Sequence, residues 1–359
     1  MARVAVLDRE RCKPKRCRLP CRHFCPQVRM HVNAIEFDPE RDQYPFIAEA
    51  LCVGCAICVK KCPFRALSIV NLPDELEEDC SHRYGVNAFK LYRLPVPSPG
   101  KITGLIGPNG VGKTTSLRIL AGEIWPNLGN VEEPPDRDEV IRRYRGSVLQ
   151  DYFRRLSEGE LRVAYKPQHI GAIPKVIRGK VGNILKRLDE RGVSGQVIDE
   201  LQLRGLLDRR IAVLSGGELQ RVAIAAALLR DVEVYLFDEP SSHLDIYQRV
   251  NMAKAIRGLV KEGKMVVVAE HDLAVLDYLS DQVCVLYGKP DVFGVVSHVY
   301  GVREGINVYV QGFIPSENMR IRKKPIAFHV RPPQEPSDLP VLLRWGGVAK
   351  SYDGFSLDV

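Results

Sequence analysis

The sequence feature that most constrains the fold is the glycine-rich stretch GPNGVGKTT at residues 107–115. It matches the phosphate-binding pattern of a glycine, four residues and then Gly-Lys-Thr. An apolar segment suited to a strand, 101–106, precedes it, and a segment with helical spacing, 116–122, follows it. Strand, loop and helix in this order are the context that a P-loop requires. The stretch therefore predicts an α/β domain that binds a nucleotide, and the alternative is a turn without a nucleotide.

The expected roles of the P-loop residues follow from phosphate chemistry. Glycines let backbone N–H groups turn toward the phosphates, Lys113 adds a positive charge, and the following helix contributes its dipole. Thr114 is expected to place its hydroxyl on Mg²⁺. The residues predicted here to bind ATP or ADP are Gly107, Asn109, Gly110, Gly112, Lys113, Thr114 and Thr115.

Length and composition indicate a globular protein of two or three domains, because 45% of its 359 residues are hydrophobic. No apolar run approaches the ~18 residues of a membrane span, and the N-terminus carries charges where a signal peptide is apolar. We therefore expect a cytoplasmic protein without a membrane partner. The formal charge of +8 favours an anionic partner. Two 4Fe-4S clusters with their thiolates, each about −2, would lower this charge to about +4.

Eight of the ten cysteines lie before residue 63, in two quartets that each end in Cys-Pro. Without a secretion signal, metal binding is a better interpretation than disulfides. The second quartet has the bacterial ferredoxin spacing, in which three cysteines hold one cluster and the fourth reaches the other. The predicted ligands are Cys52, Cys55, Cys58 and Cys25 for one 4Fe-4S cluster, and Cys12, Cys17, Cys21 and Cys62 for the second.

Zinc is the main alternative to the clusters, but zinc sites usually take four ligands in two pairs. We interpret residues 1–75 as an α+β ferredoxin-like domain. Such a short segment has too little hydrophobic core to be stable alone. The clusters are therefore expected to stabilise its fold by cross-linking the cysteine-bearing parts of the chain.

The segment from 73 to 83 is acidic and polar and is interpreted as a linker into the next domain, 76–299. Tyr84 and Phe89 follow it, and both are candidates to stack on adenine. An aromatic face offers a base about 1–3 kcal/mol without a specific hydrogen bond. The alternative is that both rings are ordinary core residues.

Residues 136–159 form a basic insert. Ile141, Tyr144, Val148, Tyr152 and Leu156 recur every three or four positions, and Gly146 allows a break, which predicts two short amphipathic helices. Arginines on such an insert suit contacts with a phosphate backbone, although a solvated face is the alternative. These arginines are Arg142, Arg143, Arg145, Arg154 and Arg155.

Further motifs follow the insert in a fixed order. A strand-like segment, 163–168, ends at Gln168, which is expected to reach the metal and the attacking water. LSGGELQ at 214–220, followed by a helical run at 221–230, is the signature of the ATP-binding cassette ATPases. The signature and D-loop residues, expected to face an opposite nucleotide, are Ser215, Gly216, Gly217, Glu218 and Asp245.

Two buried strands are expected to carry the remaining catalytic groups. The apolar segment 234–237 ends at Asp238, the predicted magnesium ligand, and Glu239 is the candidate general base for the attacking water. The apolar segment 265–269 precedes His271, the predicted switch histidine, which would bridge to the γ-phosphate.

The cysteine quartets together with these motifs resemble one family, the class E cassette proteins, also called the RNase L inhibitor family. The matching stretches are HRYGVNAFKLYRLP, GLIGPNGVGKTT, RGSVLQDYF, AYKPQHI, LSGGELQRVAIAAALLR, LFDEPSSHLDIYQR and EHDLAVLDYLSD. The resemblance implies an ATPase that splits ribosomes into subunits together with a release-factor-like protein. It also implies that the basic insert and a later hinge contact the small subunit and its rRNA.

The C-terminal part departs from the family pattern. Residues 300–344 resemble the hinge, with the basic run Arg320, Arg322, Lys323 and Lys324, and residues 345–359 resemble the start of a truncated second cassette. In this superfamily each ATP lies between the P-loop of one cassette and the signature of the other. We therefore expect this chain to bind Mg-ATP but to hydrolyse it slowly unless it self-associates.

Two other functions stay open from the sequence. An electron-transfer protein in which ATP gates iron–sulfur chemistry is the main alternative to the ribosome-splitting ATPase. The ATPase subunit of a transporter is a third interpretation, which is disfavoured because such a subunit needs neither the cysteine quartets nor the arginine-rich insert.

Overall fold

The computed structural model describes residues 2–40, 42–72, 76, 78–327, 344–352 and 355–358. The chain divides into two units, Met1–Pro325 and Ile326–Val359. The predicted hinge falls partly outside the described residues, at 328–343. In the second unit, strands Ala349–Tyr352 and Phe355–Asp358 pair as an antiparallel hairpin with exposed side chains on the latter.

The helices of the first unit are α1 (Pro14–Cys17), α2 (Pro20–His23), α3 (Pro26–Arg29), α4 (Ile57–Lys61), α5 (Lys113–Leu120), α6 (Arg137–Arg143), α7 (Val148–Ser157), α8 (Ile173–Val176), α9 (Val181–Leu188), α10 (Ser194–Glu200), α11 (Gly216–Leu228), α12 (Ile246–Lys261), α13 (Leu273–Leu279) and α14 (Val302–Gln311). Its strands are β1 (Ala2–Leu7), β2 (Ile35–Glu36), β3 (Phe46–Ile47), β4 (Leu67–Leu72), β5 (Cys80–Arg83), β6 (Lys90–Tyr92), β7 (Ile102–Ile106), β8 (Val163–Lys166), β9 (Val234–Asp238), β10 (Met265–Ala269), β11 (Gln282–Lys289), β12 (Phe293–Gly301), β13 (Phe313–Ile314) and β14 (Met319–Arg320).

Eight strands form the main sheet in the order β5, β6, β12, β11, β7, β10, β9, β8. The run from β11 through β7, β10 and β9 to β8 is parallel throughout. Side chains alternate across this sheet, so that Tyr235 and Phe237 enter one buried cluster while Val234 and Leu236 enter another on the opposite face. Burial on both faces explains why these strands are apolar almost without interruption.

This topology gathers the predicted motifs at one edge of the sheet. The P-loop follows β7, Gln168 follows β8, Glu239 follows β9 and His271 follows β10. Because these strands are parallel, their carboxyl ends lie on the same side, which is where open α/β sheets bind ligands.

The N-terminal domain is built on the antiparallel pair of β1 and β4, with four short helices. Its core contains buried Cys12, Cys21, Cys25 and Cys58 beside Ala5, Leu7, Ile35, Ile47 and Leu67. A cysteine-rich core with few large side chains agrees with the expectation that cluster binding holds this domain together.

Several elements differ from the sequence prediction. The segment interpreted as a linker contains strand β5, and buried Leu76 precedes it. Helix α11 begins at the signature and not at residue 221, because a capping box between Ser215 and Glu218 initiates it. In the insert the two helices are confirmed and Tyr152 is buried as predicted, but Val148 is 58% exposed, and Leu149 and Phe153 complete the buried face of α7.

Among the residues that the structure describes, no helix combines the length and the apolar character needed to cross a bilayer.

Candidate functional site

A cavity of about 470 Å³ opens over the P-loop. Ten of the sequence-predicted site residues line it together with Asp291, which the sequence analysis did not identify. The lining residues are Tyr84, Phe89, Asn109, Gly110, Gly112, Lys113, Thr114, Thr115, Gln168, Glu239 and Asp291. The structure thus brings together residues that are separated by more than 150 positions in the sequence.

The backbone of the P-loop needs its glycines. Gly112 has a φ of +97°, and a Cβ at this position would lie 2.8 Å from a methyl group of Leu91 and 3.1 Å from the ring of Phe89. A Cβ on Gly107 would lie 2.3 Å from the carbonyl oxygen of Leu286. Both positions therefore exclude a side chain, which leaves the loop in the conformation that a phosphate cradle requires.

Lys113 is buried at the first turn of α5. Its Nζ donates hydrogen bonds to the carbonyl oxygens of Gly107, at 2.7 Å, and Pro108, at 2.8 Å. Burial lowers the pKa of this amine to about 8, against the opposing effect of nearby Glu239 and Asp238. The ammonium is therefore held beneath the loop, where a bound phosphate would compensate for its loss of water.

Asp238 ends β9 and is 1% exposed. Burial raises the pKa of its carboxyl group, while a hydrogen bond with the side chain of Thr114 lowers it. A threonine hydroxyl beside a buried carboxylate is the pair of oxygen ligands expected for Mg²⁺ in P-loop enzymes. These two residues fit the ion, and their role as its ligands stays a prediction.

Glu239 and His271 are in direct contact. The Nε2 atom of His271 lies 2.8 Å from Oε1 of Glu239, and the hydroxyl of Ser242 donates to the other carboxylate oxygen at 3.2 Å. The carboxylate lines the nucleotide cavity. It is therefore placed to accept a proton from water in the cavity, with the imidazole fixing its orientation.

The adenine candidates line the same cavity. The rings of Tyr84 and Phe89 are 6.4 Å apart at a tilt of 47°, and the hydroxyl of Tyr84 lies 3.1 Å from that of Thr115. Tyr84 is 49% exposed. An exposed ring beside the P-loop is free to stack on a base, so the alternative that Tyr84 is a core residue does not fit the structure.

The thiols of the N-terminal domain form two neighbourhoods. Cys12, Cys17, Cys21 and Cys62 line one small cavity. Burial, and then the neighbouring thiols of Cys17, Cys21 and Cys62, raise the pKa of Cys12 to about 11. This grouping is the predicted ligand set of one cluster, so the residues present fit that group.

The second neighbourhood contains three of its four predicted ligands. Burial, and then Cys52 and Cys55 among other neighbours, raise the pKa of Cys58 to about 12. Cys25 is buried in the same core. Backbone N–H groups of Gly54 and Ala66 donate to the sulfurs of Cys52 and Cys62, each at 3.4 Å, as donors to cluster thiolates do.

In the described part of the chain, no three His, Cys, Asp or Glu side chains are arranged to hold a single metal ion. A 4Fe-4S cluster uses a wider arrangement, because each of its four thiolates binds a different iron atom.

Comparisons with known proteins match the N-terminal part and the nucleotide-binding part of the chain to different family profiles. The family profile described as "ABC transporter" matches residues 97–242. A profile described as "Possible Fer4-like domain in RNase L inhibitor, RLI" matches residues 2–32, and one described as "4Fe-4S binding domain" matches residues 45–68. The chain is 49% identical, over 98% of its length, to "ABC transporter E family member 1" of Arabidopsis thaliana. The chain belongs to the RNase L inhibitor family.

Other members of the RNase L inhibitor family support the assignment. The chain is 48% identical, over 92% of its length, to "Translation initiation factor RLI1" of Saccharomyces cerevisiae. It spans 57% of the Arabidopsis relative and 55% of the yeast relative. The solved structure titled "Model of ribosome-bound archaeal Pelota and ABCE1" matches 99% of this chain and 60% of that chain, with a TM-score of 0.92 and 51% identity. The fold is therefore an ATP-binding cassette with an N-terminal iron–sulfur domain, as predicted.

The family signature lies outside the nucleotide cavity. Ser215 and Gly216 are exposed at the start of α11, and Asp245 caps α12 by accepting a hydrogen bond from the backbone N–H of Gln248 at 2.8 Å. A Cβ on Gly217 would lie 2.7 Å from the carbonyl oxygen of His243, so the signature packs tightly against the D-loop. Their expected action on an opposite nucleotide stays a prediction.

The arginines of the insert have two kinds of environment. Arg142 and Arg145 are exposed, whereas the other three form ion pairs. These pairs are Arg143 with Asp79, Arg154 with Asp151 and Arg155 with Glu233. Arg142 and Arg145 are therefore the members of the set best placed for an external phosphate.

Several buried polar residues that shape the site were not predicted from the sequence. Glu270 is 2% exposed, and its carboxylate accepts hydrogen bonds from the backbone N–H groups of Ser241, His271 and Asp272. Lys166 and Gln220 are also buried and contact the segment after β9. All three residues lie beside known motifs in the sequence, but the partners of Lys166 and Gln220 lie 72 and 19 positions away along the chain.

Proposed function

We propose that this chain is the cluster-bearing and nucleotide-binding part of a cytoplasmic ATPase that separates ribosomes into subunits. The observation that carries the proposal is the match over 99% of the chain to a ribosome-bound relative, in a chain whose P-loop residues line one cavity together with Gln168 and Glu239. A solved structure 51% identical to this chain is that of an archaeal ribosome recycling factor in complex with an archaeal ribosomal stalk protein.

The proposed chemistry assigns one task to each side chain of the site. Lys113 and the P-loop backbone bind the phosphates, and the rings of Tyr84 and Phe89 hold the base. Thr114, Gln168 and Asp238 hold Mg²⁺, which supplies charge neutralisation during phosphoryl transfer. The carboxylate of Glu239 accepts the proton from the water that attacks the γ-phosphorus.

His271 completes the catalytic set. It orients the Glu239 carboxylate through their 2.8 Å contact and, in this proposal, would bridge to the γ-phosphate. The bond between the β–γ bridging oxygen and the γ-phosphorus breaks, and ADP and phosphate are released.

The proposed cofactors besides Mg²⁺ and ATP are two 4Fe-4S clusters, each bound by the thiols of one predicted ligand set. Iron and sulfide counts after anaerobic purification test this proposal. We expect about eight of each per chain, because each cluster holds four irons and four sulfides. About four of each would leave only one ligand set functional, and zinc without sulfide would refute the assignment.

The proposed partners are the small ribosomal subunit with its rRNA, a release-factor-like protein and a second cassette. The exposed Arg142 and Arg145 of the insert, and the basic run beginning at Arg320, are the proposed RNA contacts. Arg322 of this run stacks on Tyr309, 4.6 Å from the ring centre, whereas Lys323 and Lys324 are exposed.

Ribosome pelleting at several salt concentrations tests the interface. The double variant Arg142→Glu and Arg145→Glu is expected to weaken binding to small subunits and to flatten the dependence of affinity on salt, because fewer phosphate counterions are released. Lys254→Glu with Lys261→Glu, an equal charge change on the exposed side of α12, is the control. Equal loss of binding in both variants would assign the effect to net charge and not to the insert.

A further inference from the structure

A second buried amine lies beneath the catalytic loop, and the proposed chemistry does not use it. Lys166 ends β8 and is 2% exposed. Its Nζ donates a hydrogen bond to the carbonyl oxygen of Asp238 at 2.8 Å and lies 3.4 Å from that of Glu239. Lys166 is not among the described residues that line the nucleotide cavity. Lysine is rarely buried unless it is paired, and the two carbonyl oxygens are the partners of Lys166. The position therefore indicates that Lys166 holds the backbone after β9.

A second donor approaches the same peptide from another element. Gln220 lies in α11 and is 1% exposed. Its Nε2 donates to the carbonyl oxygens of Glu239 and Pro240, both at 2.9 Å. The carbonyl of Glu239 therefore accepts from a strand residue and from a residue of the signature helix.

The peptide held by these two donors has an unusual conformation. Glu239 has a φ of +45°, in the left-handed region that a residue with a Cβ rarely adopts. Such a conformation persists where the surroundings determine it fully. The backbone N–H of Glu239 donates to the carbonyl of Ala269 at 2.9 Å, so both sides of the residue are fixed.

This conformation determines where the side chain of Glu239 points. From the left-handed turn its carboxylate reaches His271 and the nucleotide cavity. We propose that Lys166 and Gln220 are positioning residues for hydrolysis, which hold the peptide after Glu239 in the left-handed turn and thereby aim its carboxylate. The inference rests on the proposed ATPase function.

The position of Gln220 adds a consequence. It lies on the same helix as the signature, which begins at Gly216, and it contacts the loop that carries this cassette's own general base. A displacement of α11 at its signature end would therefore reach Glu239 through one side-chain amide.

The test compares Lys166→Met, Gln220→Leu and the double variant with the unmodified chain. Lys186→Met, at an exposed position of α9, is the matched control. Iron content and far-UV circular dichroism establish folding. Three quantities are then measured: the affinity for Mg-ATP, the rate of phosphate release in a single turnover with protein in excess, and the ring ¹⁵N signals of His271, assigned with His271→Gln.

We expect the affinity to change by less than about twofold, while the single-turnover rate falls by about 10- to 100-fold, which is less than the roughly 10²–10⁴-fold that general acid–base catalysis contributes as a whole. The ¹⁵N signals of His271 are expected to shift in both single variants, with and without nucleotide. Because both donors act on one carbonyl, the double variant should be no slower than the more severe single variant. The control should match the unmodified chain in every measurement.

Unchanged rates and unchanged His271 signals in Lys166→Met and Gln220→Leu would overturn the inference. Affinity that falls as much as the rate would also overturn it, because the two residues would then support binding and not positioning. If Lys166→Met does not fold, the single-turnover rate and the His271 signals of Gln220→Leu alone test the inference. If the unmodified chain does not bind Mg-ATP, the proposed function fails, and the His271 signals without nucleotide still test the positioning.

Discussion

Replacement of Asn87 by glycine tests how the N-terminal iron–sulfur domain is held on the cassette. Asn87 is 5% exposed and lies between the two adenine candidates in sequence. Its side chain makes three hydrogen bonds to the N-terminal domain: Oδ1 accepts from the backbone N–H of Ile47 at 2.8 Å, and Nδ2 donates to the carbonyls of Ala5 at 3.1 Å and Ile47 at 2.9 Å. Glycine keeps the positive φ of 52° without strain.

The magnitude follows from these three bonds. A buried hydrogen bond contributes about 0.5–1.5 kcal/mol net, so their loss should weaken docking of the two domains by about 1.5–4.5 kcal/mol. The remaining contacts include the carboxylate of Glu49, which accepts from the side chains of Arg83 and Lys90 at 3.1 and 3.0 Å. Docking should therefore persist, but the undocked population should rise by roughly 10- to 2,000-fold.

The backbone amide of Leu7 is the diagnostic probe. It donates to the backbone carbonyl of Asn87 at 2.9 Å, and the substitution leaves both atoms in place. Hydrogen exchange at the Leu7 amide should therefore accelerate only because the two domains undock more often. When exchange follows the opening equilibrium, the expected acceleration equals the roughly 10- to 2,000-fold rise of the undocked population. Residue-resolved exchange by mass spectrometry measures it. Asn318→Gly, an exposed asparagine with a φ of 46°, is the control and should leave the Leu7 amide unchanged.

The amide of Ile47 provides the contrast, because it loses its acceptor directly. Faster exchange at Ile47 with unchanged exchange at Leu7 would refute the reasoning. It would show that the three side-chain bonds do not contribute to docking and that the Glu49 ion pairs or apolar contacts are sufficient.

Three further predictions concern the nucleotide site. Lys113→Ala is expected to abolish nucleotide binding, measured with a fluorescent ATP analogue, and to leave the iron content unchanged; joint loss would mean that the two domains fold as one unit. Glu239→Gln should bind Mg-ATP and release phosphate about 10²–10⁴-fold more slowly, and an unchanged rate would exclude Glu239 as the general base. Burial lowers the pKa of Lys113 to about 8, so above that pH the free chain holds a neutral amine, and binding of a triphosphate takes up a proton. Affinity for Mg-ATP should therefore fall as the pH rises above about 8, with proton uptake measured by calorimetry in two buffers. Because the pKa of Lys166 is also lowered to about 8 by burial, Lys166→Met is the control and should retain the fall.

The sequence predicted the elements whose pattern is local. Strand β10 has the predicted bounds, and β7 and β9 differ from them by one residue, because fully buried strands are short apolar runs bounded by motif residues. The start of α11 was missed although Ser215 and Glu218 have capping-box spacing, because the signature was interpreted only as a functional motif.

The remaining site features depend on tertiary contacts. Val148 is exposed because α7 packs through the ring of Phe153, which contacts the rings of Tyr144 and Trp125. Helical spacing in the sequence alone fits two buried faces of α7 that differ by one residue. Asn87, Lys166 and Gln220 are single polar residues whose partners lie 19 to 82 positions away. No local pattern distinguishes such a residue from a solvated one.

The segment that carries Asn87 places two binding functions on one short piece of backbone. Tyr84 and Phe89 line the nucleotide cavity, Asn87 holds the N-terminal domain, and the backbone N–H of Tyr84 donates to the carbonyl of Phe89 at 3.2 Å, which closes the segment into a loop. A base that orders the two rings also restricts the backbone that carries Asn87. Nucleotide binding and domain docking therefore share the entropy cost of ordering this segment. Thermodynamic linkage requires the effect to be reciprocal. Suppose that bound nucleotide slows hydrogen exchange at the Leu7 amide by some factor. Asn87→Gly raises the undocked population, and the loss of nucleotide affinity that results from this can then be no larger than that factor.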